Sequence, residues 1–133
     1  MREPVRDKGR LEHMKDAIER VMNFMTDKSM DDLSDTAIEY YGIVKCIEIV
    51  GEAAYKLTPL FKETHPDTPW SVIEKMRHVL VHDYYQIEKS EVKYVVEDDL
   101  RPLYEQISQY LSDTNWEEWE NQESVSQTNP NNQ

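Results

Sequence analysis

The chain has one cysteine, three glycines and no long apolar run in its 133 residues. A lone thiol, Cys46, cannot close an intrachain disulfide, so a reducing interior suits it. Three glycines leave few hairpin turns, and apolar residues recur with the 3.6 period of helices instead. No apolar stretch approaches the ~20 residues of a membrane span. The opening MREPVRDKGR lacks the apolar segment of a secretory leader, and the expectation is a soluble, cytoplasmic protein. Basic residues are scarce as well: 15 Lys and Arg stand against 27 Asp and Glu, a formal charge of −12. That balance excludes a general nucleic-acid coat, whose affinity comes from cations neutralising phosphates. The length suits one domain, which can bury roughly two-thirds of its unfolded surface without help from metal or disulfide.

Helical spacing of Leu11, Met14, Ile18, Val21, Met22 and Met25 predicts a first helix over about 7–25. In MDDLSD, the residues Asp31, Asp32, Ser34 or Asp35 are suited to cap a second helix. That helix carries Leu33, Ala37, Tyr40, Tyr41, Val44, Ile47, Val50, Ala54 and Leu57 on a broad apolar face and ends near Thr58-Pro59. Pro59 to Pro69 reads as a loop with one short turn around Leu60 to Glu63. Pro69 suits the first position of a third helix, which directs Ile73, Met76, Val79 and Leu80 inward. After a short connection, Gln86 to Lys89, Ser90 is placed to cap a fourth helix burying Val92, Val96, Leu100, Leu103 and Ile107. Pro102 inside that helix should kink it. The predicted architecture is all-α: an up-down bundle of four main helices plus a short helical turn over 1–111. Residues 112–133, acidic and without Lys or Arg, read as a mostly disordered tail whose only ordering handles are Trp116 and Trp119.

The chemistry-bearing segment is WSVIEKMRHVLVHDYYQI, Trp70 to Ile87. A histidine near neutrality donates or accepts a proton. A guanidinium holds a phosphate or the charge developing on it. Arg77 and His82 together suit cleavage at an RNA phosphate, where the 2′-hydroxyl is the nucleophile and no metal is obligatory. On a regular helix five steps put His82 ~140° around from Arg77, while Tyr84 returns to within ~20° of the Arg77 face. The pair converges only if the helix loosens there, or if a second copy completes the site. Plainer roles also fit: Arg77 as an ion-pair partner of Glu74, and His82 as a residue on the helix C-terminal dipole.

His78 and His82 have the i,i+4 spacing of a metal pair, with Asp83 adjacent. Val79 stands where a His-Glu-x-x-His set has its glutamate, and no third ligand is evident, so neither metal nor cofactor is expected. Glu52 falls mid-helix in apolar surroundings; it either faces the cleft, orienting Arg77 or His82, or sits exposed. His78 is a second candidate for such a supporting role. Gly51 reads as a close-packing position, and Tyr40, Tyr41 and Tyr55 as core or interface residues. His13 and His65 read as isolated and solvated.

The Arg-x4-His-x-Tyr string at Arg77, His82 and Tyr84, closing a Pro-Trp-started helix after IVGEAAYKLT (Ile49 to Thr58), resembles the HepT-like family of HEPN-domain proteins. The resemblance runs over roughly Met1 to Leu111. It implies a homodimeric all-α ribonuclease toxin of a type VII toxin–antitoxin pair, encoded beside a minimal nucleotidyltransferase antitoxin of the MntA type. Arg77 and His82 would be the catalytic pair for metal-independent RNA cleavage in a cleft across the dimer. Tyr84 would be the hydroxyl to which the antitoxin transfers AMP, with Tyr85 beside it as the other candidate. RNA and the antitoxin are then the partners, and neither DNA nor a membrane is. A non-catalytic scaffold for a nucleotidyltransferase, and a nucleotide-binding module, remain open from the residues alone. The acid excess bears on RNA affinity: residues 68–94 carry four basic and four acidic groups, whereas residues 112–133 carry none and five. The motif region is neutral, which points to a selective nuclease of modest affinity.

Overall fold

A computed structural model describes residues 6–34, 36–78 and 89–128, with residues 124–128 as backbone alone. Every regular element among them is helical, which makes the fold the expected all-α bundle. Helix α1 is Asp7–Phe24, α2 is Ile38–Lys56 and α3 is the short Pro59–Thr64. Helix α4, Trp70–Glu74, tightens into a 3-10 turn over Lys75–His78. Helix α5, Lys89–Tyr94, passes through a wide π turn at Val95–Asp99 into α6, Leu100–Asp113, and α7 is Trp116–Thr128. No described helix is long and apolar enough to cross a membrane.

Helix α1 packs against α2 and α6, and the periodicity explains how. Leu11, Met14, Ile18 and Val21 form one buried stripe. Tyr40, Val44, Ile47, Val50 and Ala54 of α2 meet it, and Leu100, Leu103 and Ile107 of α6 close the core. Tyr41, expected on the apolar face, is instead about half exposed, at 51%.

Local chemistry moves several boundaries. Asp31 and Asp32 do not cap α2: Met30–Asp32 forms its own 3-10 turn, with a reciprocal capping box between Ser29 and Asp32, and Asp35 lies outside the described residues. Helix α2 then begins after Ala37, which makes no side-chain cap. Pro69 caps α4 from outside instead of opening it. Ser90 lies inside α5 instead of preceding it. Pro102 stands just after the π turn and, having no N–H, leaves one helix bond unmade. The bond lost is the one to Asp98, and in the π turn the ladder is wider, the Leu100 N–H reaching Val95 O.

From Ser112 onward, composition alone predicts disorder, yet over 116–128 the chain forms α7. Apolar docking outweighs the polar composition. The Trp119 ring is 9% exposed and packs edge-on to Phe61 at 5.4 Å between centroids. Trp116 stacks parallel to the same ring at 6.4 Å, and its indole N–H donates to Leu111 O at 3.0 Å. Burying one tryptophan removes about 200 Å² from water, worth about 5 kcal/mol before ordering costs. Phe61 is a hub: His65 stacks on it at 3.9 Å, and Tyr110 meets it edge-on at 5.9 Å. His65, expected to be solvated, is a packing residue whose Nδ1 lies 2.8 Å from Phe61 O.

Helix α7 is also tied by a buried carboxylate. Asp7, 1% exposed, accepts the Thr58 N–H at 2.9 Å and the Thr58 hydroxyl at 2.7 Å. It also accepts the Trp119 indole N–H at 3.0 Å. Its own N–H donates to Oε2 of buried Glu123 at 2.8 Å. One aspartate thus joins the start of α1, the α2–α3 junction and α7.

Candidate active site

A cleft of about 450 Å³ opens between α1, α2 and the 75–78 turn. Helix α2 supplies Lys45, Glu48, Ile49, Glu52 and Ala53, an i, i+3, i+4, i+7, i+8 stripe along one face. Helix α1 supplies Arg10 and His13, one turn apart, and the 3-10 turn supplies Arg77 and His78. His13 is therefore a cleft residue, not an isolated one.

The position of Arg77 is set by two residues of α2. A Cβ built on Gly51 would lie 2.3 Å from the Arg77 backbone nitrogen and 2.8 Å from the Met76 carbonyl carbon. Only glycine lets the turn sit directly on α2, while the buried Met76 side chain anchors it in the core. One turn further along α2, the Tyr55 ring lies beneath the Arg77 guanidinium, 3.5 Å from its centroid, a cation–π contact worth roughly 1 kcal/mol. The sequence marked Gly51 as a packing position but missed Tyr55. The signal was its i,i+4 spacing from Gly51, which becomes legible only when Arg77 is known to lie on that face.

Ion pairs around the cleft are settled locally. Glu74, the candidate partner for Arg77, instead bonds Lys62 at 3.1 Å. Glu52 lines the cleft with its carboxylate paired to Lys56 at 3.4 Å, not to Arg77. Lys45 and Glu48 bond at 2.8 Å, which raises the Lys45 pKa and keeps that ammonium charged. The Nε of Arg77 is buried with no hydrogen-bond partner among the described residues. Cys46 is not among the residues lining this cleft, and burial pushes its thiol pKa up. Among the described residues, no group of three His, Cys, Asp or Glu side chains is placed to hold a metal ion. Val79, Leu80, His82, Asp83, Tyr84 and Tyr85 lie outside the described residues. What is described shows α-helical geometry ending at Glu74, before the motif begins.

The model of a known family, "Ribonuclease HepT-like", matches residues 14–110. This chain belongs to the HepT-like ribonuclease family. The matched span holds Arg77, His82 and Tyr84 together with Gly51 and Tyr55. Among curated relatives, "Probable ribonuclease HepT" of Thermococcus cleftensis is 28% identical over 96 residues, 72% of this chain and 87% of the relative. "Putative RNase TTE0752" of Caldanaerobacter subterraneus subsp. tengcongensis is 27% identical over 101 residues, 76% of this chain and 90% of the relative. A "Gamma-glutamylcyclotransferase and putative RNase" of Methanocaldococcus jannaschii is 28% identical over 103 residues. That match takes in 77% of this chain but only 46% of the Methanocaldococcus protein, so the chain spans less than half of that relative's length. No solved structure matches the chain.

For a HepT-like chain built this way, Gly51→Ala is a sharp probe. The added methyl must push the Arg77 backbone away by about 1 Å, a displacement that typically costs ~10²-fold in rate when it moves a catalytic group. Overpacking of this kind destabilises by about 1–3 kcal/mol. RNA turnover compared with thermal melting checks it: loss of turnover with the fold retained is expected, and full turnover would contradict the seating role of Gly51.

Proposed function

We propose that this chain is a metal-independent endoribonuclease, the toxin of a toxin–antitoxin pair, acting as a homodimer. The observation carrying the reading is the Arg77, His82 and Tyr84 motif within the family-matched span, with Arg77 fixed at the cleft by Gly51 and Tyr55. In the reaction, the 2′-hydroxyl of the substrate attacks the adjoining phosphorus and its 5′-oxygen leaves. His82 accepts the 2′-hydroxyl proton or delivers one to the departing 5′-oxygen. Arg77 stabilises the charge gathering on the phosphoryl oxygens. The products are a 2′,3′-cyclic phosphate and a 5′-hydroxyl, so the protons balance without an added reactant. Exposed apolar surface at Ile49 and Tyr55 supports a second copy closing over the cleft.

Regulation in this reading falls on Tyr84. A nucleotidyltransferase partner joins the tyrosine oxygen to the α-phosphate of ATP and releases pyrophosphate. The added phosphate and bulk then oppose RNA entry next to Arg77. Intact mass after co-expression with such a partner tests this. Increments of one AMP residue that vanish in Tyr84→Phe are expected. Increments that persist in Tyr84→Phe and vanish in Tyr85→Phe would move the acceptor by one residue. No increment in any form would remove this mode of control.

A further inference from the structure

Arg77 is not alone in the cleft. Arg10, from the second turn of α1, lines the same cavity, and its Nε is also buried with no hydrogen-bond partner among the described residues. A buried N–H left unpaired costs about 1–3 kcal/mol, more on a charged group, and most such groups in folded proteins have partners. Two guanidinium groups with the same unmet donor, lining one cleft from α1 and from the 75–78 turn, are therefore a shared anomaly. The acidic residues of the cleft do not resolve it, because Glu48 is held by Lys45 and Glu52 by Lys56. Among the described residues no acceptor is left for either Nε, and the planar fork of arginine matches the oxygens of a bound phosphate.

We infer that Arg10 is a second phosphate-binding arginine of this cleft. It takes the backbone phosphate next to the scissile one, while Arg77 takes the scissile phosphate itself. The inference rests on the ribonuclease reading above. A cleft of about 450 Å³ is in the range that holds a small ligand, enough for a nucleotide between two phosphates. Arg10 is far from the Arg77 motif in sequence, and nothing in the spacing of that motif points to it. Its grip on a non-reacting phosphate is the same in the ground and transition states. Its loss therefore weakens binding without slowing the chemical step.

The test is salt-dependent binding of a 2′-O-methyl RNA strand, which cannot supply the nucleophile, together with turnover of ordinary RNA. For a single strand, each phosphate contact contributes about 0.7 to the slope of log affinity against log salt. Arg10→Gln is expected to lower the slope by about 0.7 per arginine engaged and to raise KM with kcat retained. Arg10→Lys, keeping the charge, is expected to keep the slope; it also guards against a Gln variant that fails to fold. Lys8→Gln removes a charge from the same helix on the exposed side away from the cleft and should change neither. An unchanged slope in Arg10→Gln, with the parent binding normally, would overturn the inference and leave the ribonuclease reading intact. A fall in kcat with the slope unchanged would also overturn it, because Arg10 would then act by positioning Arg77. A parent protein that neither binds the 2′-O-methyl strand nor cuts RNA would remove the ribonuclease reading, and this inference with it.

Discussion

Arg77→Ala is expected to lower RNA cleavage by about 10²- to 10³-fold while leaving the bundle folded, the scale of losing one preorganised donor to transition-state charge. Among the described residues the guanidinium carries no ion pair that the fold needs. Glu74 is bonded to Lys62, and the Arg77 head group rests on the face of a half-exposed Tyr55. Arg77→Lys should recover only part of the rate, since an ammonium keeps the charge but loses the planar fork. Tyr55→Leu should fall between parent and Arg77→Ala, because it frees the guanidinium without removing it. Initial rates on one labelled RNA, alongside melting temperatures, check the series. A drop in melting temperature that tracks the loss of rate would make Arg77 a structural residue instead.

The second large effect is on stability. Asp7→Ala leaves the Thr58 N–H, the Thr58 hydroxyl and the Trp119 indole N–H without their acceptor at a buried site. At about 1–3 kcal/mol for each stranded group, partly offset by entering water, a loss of roughly 3–5 kcal/mol follows. That is a large share of the ~5–15 kcal/mol stability of a small domain. Glu123→Gln should act in the opposite sense. Burial pushes the Glu123 carboxyl pKa above its ordinary value of 4.5, and the nearby charges of Asp7 and Glu120 add to this. The Asp7 N–H bond and Arg6 oppose it. A carboxyl raised on folding contributes stability that is full below its unfolded value and is lost as pH rises through its folded value. The Gln side chain keeps an acceptor for the Asp7 N–H and has no such loss. Melting curves between pH 4 and 7 should therefore show a flatter dependence in Glu123→Gln, with no lower melting temperature at pH 7. A variant that melts well below the parent at pH 7 would show that the charge itself is needed.

The helices and their buried faces were legible because apolar periodicity is a local signal, as in Leu11, Met14, Ile18 and Val21. The extent of α7 was not. Its polar composition argued for disorder, and what orders it is a set of distant partners, Phe61 for Trp119 and Asp7 for Glu123. The same holds for His65, whose role depends on where Phe61 and Tyr110 lie. At the site, Arg77 and Gly51 could be marked singly, but their contact joins residues that share no sequence pattern. Arg10, His13 and Tyr55 gave no signal of their own, because lining a cleft or underlying a guanidinium is a property of the assembled helices. Glu52 lines the cleft, one of the two placements its sequence position allowed, but its carboxylate pairs with Lys56 on the same helix and not with Arg77.

End-group analysis of RNA cut in excess EDTA tests the central claim most directly. The purified chain is expected to leave 2′,3′-cyclic phosphate and 5′-hydroxyl ends, to spare a strand carrying a 2′-deoxy nucleotide at the cut position, and to lose cutting in His82→Ala. Cleavage of the 2′-deoxy strand, or a His82→Ala protein as fast as the parent, would contradict it.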